Sequence, residues 1–161
     1  MTVEEYNNAV DQHADNLYRF ILKNVKVEDT ARDIVQDAFE KLWIKIERVD
    51  GEKVKSYLFT AAYHTMIDYI RKENRLETMD ESKTYGHYHE EQYSDIREVL
   101  NRAFENLPEV QRSVLMLRDY EGYSYQEIAE ITNLSESQVK VYIYRARVYL
   151  KTYIGNPERI I

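Results

Sequence analysis

The chain has 161 residues and a net charge of −7, and its 43% apolar and 32% charged residues are typical of a globular protein. It contains no cysteine, which excludes disulfides and thiolate metal sites and favours a reducing compartment. No apolar run approaches the length of a bilayer span, and the acidic N-terminal segment lacks the apolar stretch of a signal peptide. We therefore expect a cytoplasmic protein with no direct membrane insertion.

The N-terminal part of the chain predicts three helices. Apolar residues recur broadly on one side between residues 6 and 25 and, with nearly ideal helical spacing, between 28 and 46. Asp50 and Gly51 interrupt this pattern, and a third helical stretch runs from about residue 54 to 75. The second helix has the clearest apolar stripe, formed by Ala31, Ile34, Val35, Ala38, Phe39, Leu42, Trp43 and Ile46.

The opposite side of the second predicted helix is polar and mostly acidic. Its residues are Asp33, Gln36, Asp37, Glu40 and Lys41. Two interpretations stay open at this point, a surface that only faces solvent or an acidic docking face for a basic partner.

The third predicted helix combines aromatic and basic residues. Tyr57, Tyr63 and His64 lie between the basic ends of the helix, which carry Lys53, Lys55, Arg71, Lys72 and Arg75. Aromatic rings interleaved with cations are typical of single-stranded nucleic-acid sites, because bases stack on the rings while the backbone follows the positive charge. The chain has fifteen tyrosines, so this pattern alone is a weak indication.

Residues 76–95 form a polar, acidic stretch without helical periodicity, which predicts a linker. His87 and His89 stand beside Glu90 and Glu91, and imidazole with carboxylate could ligate zinc or nickel. A linker offers no preformed geometry and no supporting shell around the ligands. We therefore predict no metal site and no cofactor.

The C-terminal part predicts four further helices. An amphipathic helix from Ile96 to Leu107 is closed by Pro108, a second runs from Val110 to about Tyr120, and Gly122 provides the next turn. Two capping boxes then follow eleven residues apart, Ser124-Tyr-Gln-Glu127 and Ser135-Glu-Ser-Gln138. A short helix, a tight turn at Thr132-Asn133 and a second helix with a facing apolar side predict a helix-turn-helix. The facing apolar residues are Ile128, Ile131 and Leu134 on one helix and Val139, Ile143 and Ala146 on the other.

The second helix of this motif is basic on its predicted exposed side. It carries Lys140, Arg145, Arg147 and Lys151, with Glu136 as its acid. Such a helix suits a DNA major groove, with its N-terminal residues at base edges and its cations on phosphates. The alternative is that these cations only complement the helix dipole, but this would not explain the paired caps upstream.

The negative net charge is spread unevenly. Residues 51–75 and 124–154 are each net positive, whereas the N-terminal helices and the stretch from 76 to 98 carry most of the acid. Because affinity for duplex DNA comes largely from neutralised phosphates, we expect weak DNA binding by the chain alone. A partner should supply most of the electrostatic attraction.

These patterns predict an all-α protein of two small helical domains joined by a flexible linker. The first domain covers residues 1–75 and the second, with the helix-turn-helix, covers residues 96–154. Residues 76–95 form the linker, and residues 155–161 form a tail.

The layout resembles the extracytoplasmic-function group of bacterial sigma factors, which keep the second and fourth conserved sigma regions joined by a linker. Asp33 to Trp43 looks like the family's core-polymerase-binding helix, and Ser56 to Lys72 looks like its segment for promoter melting and minus-ten recognition. In the second domain, Leu107 to Arg112, Tyr120 to Ala129 and Val139 to Arg147 resemble the fourth region, which binds the minus-thirty-five element. The similarity covers roughly residues 6–75 and 96–152.

The resemblance assigns expected roles to individual residues. Core-polymerase binding falls on Asp33, Gln36, Asp37, Glu40 and Trp43. Binding of the melted minus-ten strand falls on Tyr63, His64, Arg71 and Lys72. Minus-thirty-five or phosphate contacts fall on Arg118, Lys140, Val141, Tyr144 and Arg145.

Two departures from the family pattern concern specificity. His64 stands where the family commonly has an asparagine, although an imidazole can still stack on or donate to an extruded base. Val141 and Tyr142 replace the small polar and basic residues usual at those positions, which affects the minus-thirty-five preference.

Three functional hypotheses follow. The first is a sigma factor that binds core RNA polymerase and promoter DNA without covalent chemistry; the family often has a membrane-associated anti-sigma factor as inhibitor. The second is a stand-alone helix-turn-helix regulator that binds a palindromic duplex as a dimer. The third, a metal hydrolase, is disfavoured because the four histidines show no HExxH or comparable ligand spacing and no glycine-rich phosphate loop is present.

Overall fold

A computed structural model of the protein describes residues 1–79 and 96–155. Those residues form seven α-helices, one short 3₁₀ turn at Gly51–Lys53 and no strand. The helices are α1 Val3–Val25, α2 Glu28–Ile44, α3 Val54–Met79, α4 Ile96–Glu105, α5 Glu109–Asp119, α6 Tyr125–Thr132 and α7 Glu136–Ile154. The predicted all-α class and the helix-turn-helix are confirmed.

His87 and His89, the two histidines considered for metal binding, lie outside the described residues. Most of the predicted linker also lies outside them. The predicted end of the third helix near Arg75 was wrong, because α3 continues to Met79. Residues 76–79 contain no glycine or proline that would stop a helix, and the boundary was misplaced because they were grouped with the polar, acidic residues that follow them.

Helices α1, α2 and α3 pack on one another around a common apolar core. Its largest fully buried side chains include Leu17, Phe20, Ile21, Leu42, Leu58 and Met66. The first helix begins three residues earlier than its apolar pattern predicts, because Thr2 and Glu5 form a third capping box.

The C-terminal helices α4, α5 and α6 all pack on α7, and residues 112–117 of α5 are buried. Both predicted capping boxes are formed: Ser124 accepts from the Glu127 amide, and Ser135 accepts from the Gln138 amide. Gly122 has a φ of 75°, as the predicted turn requires, and Asn133 closes α6 in the left-handed region with a φ of 59°. The apolar sides of α6 and α7 face each other as predicted, with Leu134 partly exposed.

Candidate DNA-binding and polymerase-binding surfaces

The outward face of α7 collects most of the residues expected to contact duplex DNA. Val139, Ile143 and Ala146 are buried against the rest of the helix-turn-helix and fix the rotation of the helix. The opposite face therefore exposes Lys140, Val141, Tyr144 and Arg145, and Tyr144 is 69% exposed. This face offers an aromatic ring and an aliphatic side chain flanked by cations, which suits base edges between two phosphate backbones.

One cation of the predicted basic side is already engaged. Arg147 Nη2 lies 2.8 Å from Asp119 Oδ1 on α5, so this guanidinium ties two helices of the domain together. Lys140 Nζ lies 3.5 Å from Glu136 Oε1, but both side chains are more than half exposed and the pair adds little stability. Lys140 can therefore exchange the Glu136 carboxylate for a phosphate, whereas Arg147 is bound to Asp119 of α5.

Arg118 has a structural contact in addition to its expected phosphate contact. Its Nη1 donates to the Tyr123 carbonyl oxygen at 2.9 Å, and its guanidinium carbon lies 4.5 Å from the centroid of the Tyr125 ring. Lys140 Nζ lies 5.6 Å from the same ring. A cation stacked on an aromatic face is attracted by the ring quadrupole. The Tyr125 ring at the start of α6 therefore attracts both Arg118 and Lys140.

The polar face of α2 is exposed at Asp33, Gln36 and Glu40. Asp37 differs from these residues because its Oδ2 lies 3.0 Å from Lys41 Nζ and accepts from the Thr65 hydroxyl at 3.3 Å. Asp37 therefore connects α2 to α3 as well as belonging to the candidate docking face.

Two apolar side chains are exposed at the C-terminal end of α2. Trp43 is about half exposed although its spacing placed it in the apolar stripe, and Ile44 is 79% exposed. The Tyr6 ring packs edge-on against Trp43 at 5.1 Å, and the Tyr6 hydroxyl donates to the Phe39 carbonyl oxygen at 3.2 Å. An acidic face ending in exposed apolar groups is suited to a protein partner, which favours docking over solvation alone. Sequence reasoning missed Ile44, since a single apolar residue off the stripe carries no periodic signal.

The residues expected to hold a melted strand do not share one environment. His64, Arg71 and Lys72 are exposed, but Tyr63 is buried. Burial, and next the charge of Glu109 on α5, raise the pKa of the Tyr63 phenol above its usual value. The Tyr63 and His64 rings meet edge-on at 5.6 Å.

The C-terminal helices lie across a cavity from Tyr63. A cavity of about 490 Å³ separates α3 from α5 and the end of α6, and it is lined by residues of both domains. Those residues include Tyr63, His64 and Arg71 from α3 and Glu109, Thr132 and Asn133 from the other side. Part of the candidate strand-binding face thus borders this cavity, while His64, Arg71 and Lys72 remain exposed.

No helix within residues 1–79 and 96–155 is long and apolar enough to cross a membrane. The same residues contain no group of three or more histidine, cysteine or acidic side chains placed to hold a metal ion.

An all-helical protein with a doubly capped helix-turn-helix and an outward cationic face on its second helix is a helix-turn-helix DNA-binding protein. Comparison with known families is more specific. Residues 9–76 match the model of sigma-70 region 2, and residues 97–150 match that of sigma-70 region 4.

Curated relatives agree with these two matches. The chain is 31% identical over 156 residues to the ECF RNA polymerase sigma factor SigM of Bacillus subtilis, with 94% of each chain covered. It is 32% identical over 141 residues to the RNA polymerase sigma factor SigV of the same organism, covering 86% of this chain and 84% of SigV.

Among solved structures, the chain has the fold of the sigma factor RpoE in its complex with the anti-sigma factor NepR from Bartonella quintana. The TM-score is 0.78, with 24% identity, and 96% of this chain and 99% of that chain are covered.

The chain therefore belongs to the sigma-70 family of RNA polymerase sigma factors, in its extracytoplasmic-function group. A protein of this group binds core RNA polymerase and promoter DNA and directs promoter-specific initiation of transcription. The alternative of a stand-alone helix-turn-helix regulator is not favoured.

Proposed function

We propose that three separate surfaces divide the work of initiation. The exposed face of α7 recognises the minus-thirty-five duplex, the basic and aromatic face of α3 holds the melted minus-ten strand, and the polar face of α2 docks on core polymerase. The α7 face carries this proposal, because buried Val139, Ile143 and Ala146 hold it outward and leave Tyr144 and Arg145 available to DNA.

On duplex DNA, the side chains of α7 suit different groups. Lys140 and Arg145 can donate to guanine acceptors or to phosphates, and the Tyr144 ring can pack on thymine methyl groups and sugars. Val141 is 43% exposed on the same face and offers an apolar contact beside them.

On the melted strand, the residues of α3 suit the backbone and one extruded base. Arg71 and Lys72 are exposed near the C-terminal part of α3 and can follow the phosphates. Tyr63 and His64 provide adjacent rings for a base taken out of the stack.

The chain performs no covalent chemistry in this proposal. Binding energy gained on the open strand offsets the cost of unpairing, so no nucleotide hydrolysis by this chain is needed. Polymerase brings the two DNA-binding surfaces onto one promoter, which also supplies the positive charge that an acidic protein lacks.

Transcription with purified core polymerase tests the proposal. Specific start sites are expected only when the chain is added, and Arg145→Ala should reduce their use while leaving core binding unchanged. Specific initiation that persists with Arg145→Ala and Tyr144→Ala combined would refute the assignment of the α7 face.

A further inference from the structure

We infer that Tyr6 of α1 is a positioning residue for polymerase binding, which holds the exposed Trp43 indole at the end of α2 in the orientation that core polymerase meets. Tyr6 acts through Trp43 and not through a contact of its own with polymerase. The inference rests on the docking function proposed for the polar face of α2, and it names Trp43 as the anchor of that docking surface.

Trp43 lies where a helix holds its side chains least firmly. It belongs to the last turn of α2, which ends at Ile44, and the following Lys45 has left the helical conformation with a φ of −102° and a ψ of 19°. Helix ends fray, and Trp43 is 49% exposed, so the core packing does not fix the indole. A contact from another helix can therefore decide the orientation of the indole.

Tyr6 supplies such a contact in two ways. Its ring packs edge-on against the Trp43 indole, with 5.1 Å between the ring centroids, and against Phe39 at 6.3 Å. Its hydroxyl donates to the Phe39 carbonyl oxygen at 3.2 Å, about one helical turn before Trp43. Because edge-on aromatic pairs are directional, the ring and the hydroxyl together fix the last turn of α2 and the side of the indole that faces outward.

Tyr6 is itself held in place before any partner binds. Thr2 and Glu5 form the capping box that starts α1, and the Tyr6 amide donates to the Thr2 carbonyl oxygen at 3.0 Å. The Tyr6 side chain is half-buried and packs against the core. Burial, and next the charge of Glu40, raise the pKa of the Tyr6 phenol, so its hydroxyl stays protonated and able to donate.

Trp43 joins the two chemical parts of the docking surface. Glu40, on the acidic part, is exposed about one turn before Trp43, and Ile44, which is 79% exposed, follows it directly. Tryptophan is enriched among the few interface residues that carry most of the binding energy. An indole that is oriented before binding loses less conformational freedom in the complex, so Tyr6 raises the affinity by lowering that cost.

A double-mutant cycle of Tyr6→Ala and Trp43→Ala in the full-length chain tests the inference, with affinity for purified core polymerase as the readout. Trp43→Ala should weaken binding about tenfold, as expected of an interface anchor. Tyr6→Ala should weaken it about fivefold, because ordering one side chain on binding costs a factor of about two to ten. In the Trp43→Ala background, Tyr6→Ala should add less than about 1.5-fold, because Tyr6 then has no indole left to position.

The fluorescence of Trp43 gives a readout that a role of Tyr6 in overall stability alone would not change. Trp43 is the single tryptophan of the chain. In the unbound Tyr6→Ala variant, acrylamide quenching of Trp43 should increase by up to about twofold, because 49% of the residue is already exposed in the wild type. The fluorescence anisotropy should fall. Tyr6→Phe keeps the ring and should return the quenching and the core affinity close to the wild-type values.

Tyr18→Ala is the matched control. Tyr18 is also a half-buried tyrosine of α1 that packs against the core, but it lies about 18 Å further along the helix than Tyr6. The control should lower stability without changing the quenching of Trp43 or the affinity for core polymerase. Circular dichroism establishes that each variant is folded. Tyr6→Leu, which keeps an apolar side chain but removes the ring and the hydroxyl, takes the place of Tyr6→Ala if that variant does not fold.

The outcomes separate the inference from the proposed function. Weaker core binding with Trp43→Ala but not with Tyr6→Ala would refute the positioning role and leave docking through α2 intact. Additive losses in the double variant, unchanged quenching in Tyr6→Ala, or an equal loss of core binding in Tyr18→Ala would refute it as well. Unchanged core binding by Trp43→Ala would also overturn the inference, and the docking function would fall with it only if Glu40→Arg had no effect either.

Discussion

The two faces proposed to bind DNA in this sigma factor differ in how they are presented. The α7 face is exposed and held outward by three buried residues on the other side of the same helix, whereas on the α3 face Tyr63 is buried and His64, Arg71 and Lys72 are exposed. The comparison shows that neighbouring residues of one face can differ in exposure when the face lies beside other helices, whereas a helix packed through a single apolar stripe exposes its whole opposite side.

The largest expected effect comes from Phe59→Ala. The Phe59 ring is fully buried and packs edge-on against Phe20 in its own domain, at 5.5 Å, and against Tyr123 in the other. We expect a loss of about 3–5 kcal/mol in the free energy of unfolding, because the truncation leaves a cavity under α3. Urea denaturation measures this loss, and a change below about 1 kcal/mol would contradict the packing described.

Arg145→Ala tests the exposed face of α7. If Arg145 recognises a base, promoter discrimination should fall by about 1–3 kcal/mol, measured as the ratio of specific to scrambled promoter use by holoenzyme. If it binds phosphate, the salt dependence of binding should flatten while discrimination stays the same. Unchanged discrimination and unchanged salt dependence together would remove Arg145 from the interface.

Glu40→Arg tests the polar face of α2, which is proposed to dock on core polymerase. Glu40 is exposed, so reversal of its charge should weaken binding to core polymerase about tenfold, or about 1.4 kcal/mol, without changing the melting temperature. Asp37→Arg is the informative comparison, because Asp37 also contacts Lys41 and Thr65 and should lower the melting temperature as well. Equal core binding by wild type and Glu40→Arg would indicate a face that only meets solvent.

Ser135→Ala removes the cap that starts the recognition helix. The Ser135 hydroxyl accepts from the Gln138 amide at 3.1 Å, and its loss should cost about 1 kcal/mol of stability. Because the capped turn also positions Lys140 and Val141, duplex binding should weaken in parallel. Thermal unfolding and a gel-shift assay with holoenzyme measure the two effects, and Ser135→Thr should largely restore both.

The smallest expected effect concerns Glu109. Burial raises the pKa of its carboxyl above the usual value, although the Ser113 hydroxyl hydrogen bond and the charges of Arg112 and Arg71 oppose this shift. A raised carboxyl pKa means that the folded chain retains the proton longer than the unfolded chain, so this contribution to stability is present below the usual pKa and is lost as pH rises through the raised one.

Glu109→Gln should therefore raise the melting temperature at pH 7 by about 1–3 °C, and the gain should disappear below the usual carboxyl pKa. Differential scanning calorimetry across this pH range measures both effects. A variant that is less stable than wild type at pH 7 would show that attraction to Arg112 and Arg71 exceeds the cost of burial.

Much of the fold was predictable because its signals are local. The capping boxes at Ser124 and Ser135, the glycine turn at Gly122 and the apolar stripe of α2 each depend on residues within a few turns of one another. The structure contains the caps and the turn, and it contains the stripe up to Leu42, because Trp43 is half exposed and Ile46 lies beyond the end of α2. The exposed face of α7 was predictable from the same local signals, because a capped helix that buries three apolar residues on one side exposes the opposite side.

The relation between the domains could not be predicted in the same way. Lys55 was counted among the cations of a nucleic-acid face, but it pairs with Glu121, which is 66 positions away. Arg112 entered only as part of a segment that resembles the fourth region, and that resemblance did not predict its buried hydrogen bond to Asn24. Such contacts depend on how two folded surfaces meet, and neither periodicity nor caps carry that information.

The account is tested most directly by mapping transcript start sites made by purified core polymerase on fragmented genomic DNA, with and without this chain. The account predicts a new set of starts that share two spaced upstream motifs, with the distal motif losing its enrichment when Arg145→Ala replaces the wild type. The same starts in the presence and absence of the chain would contradict it.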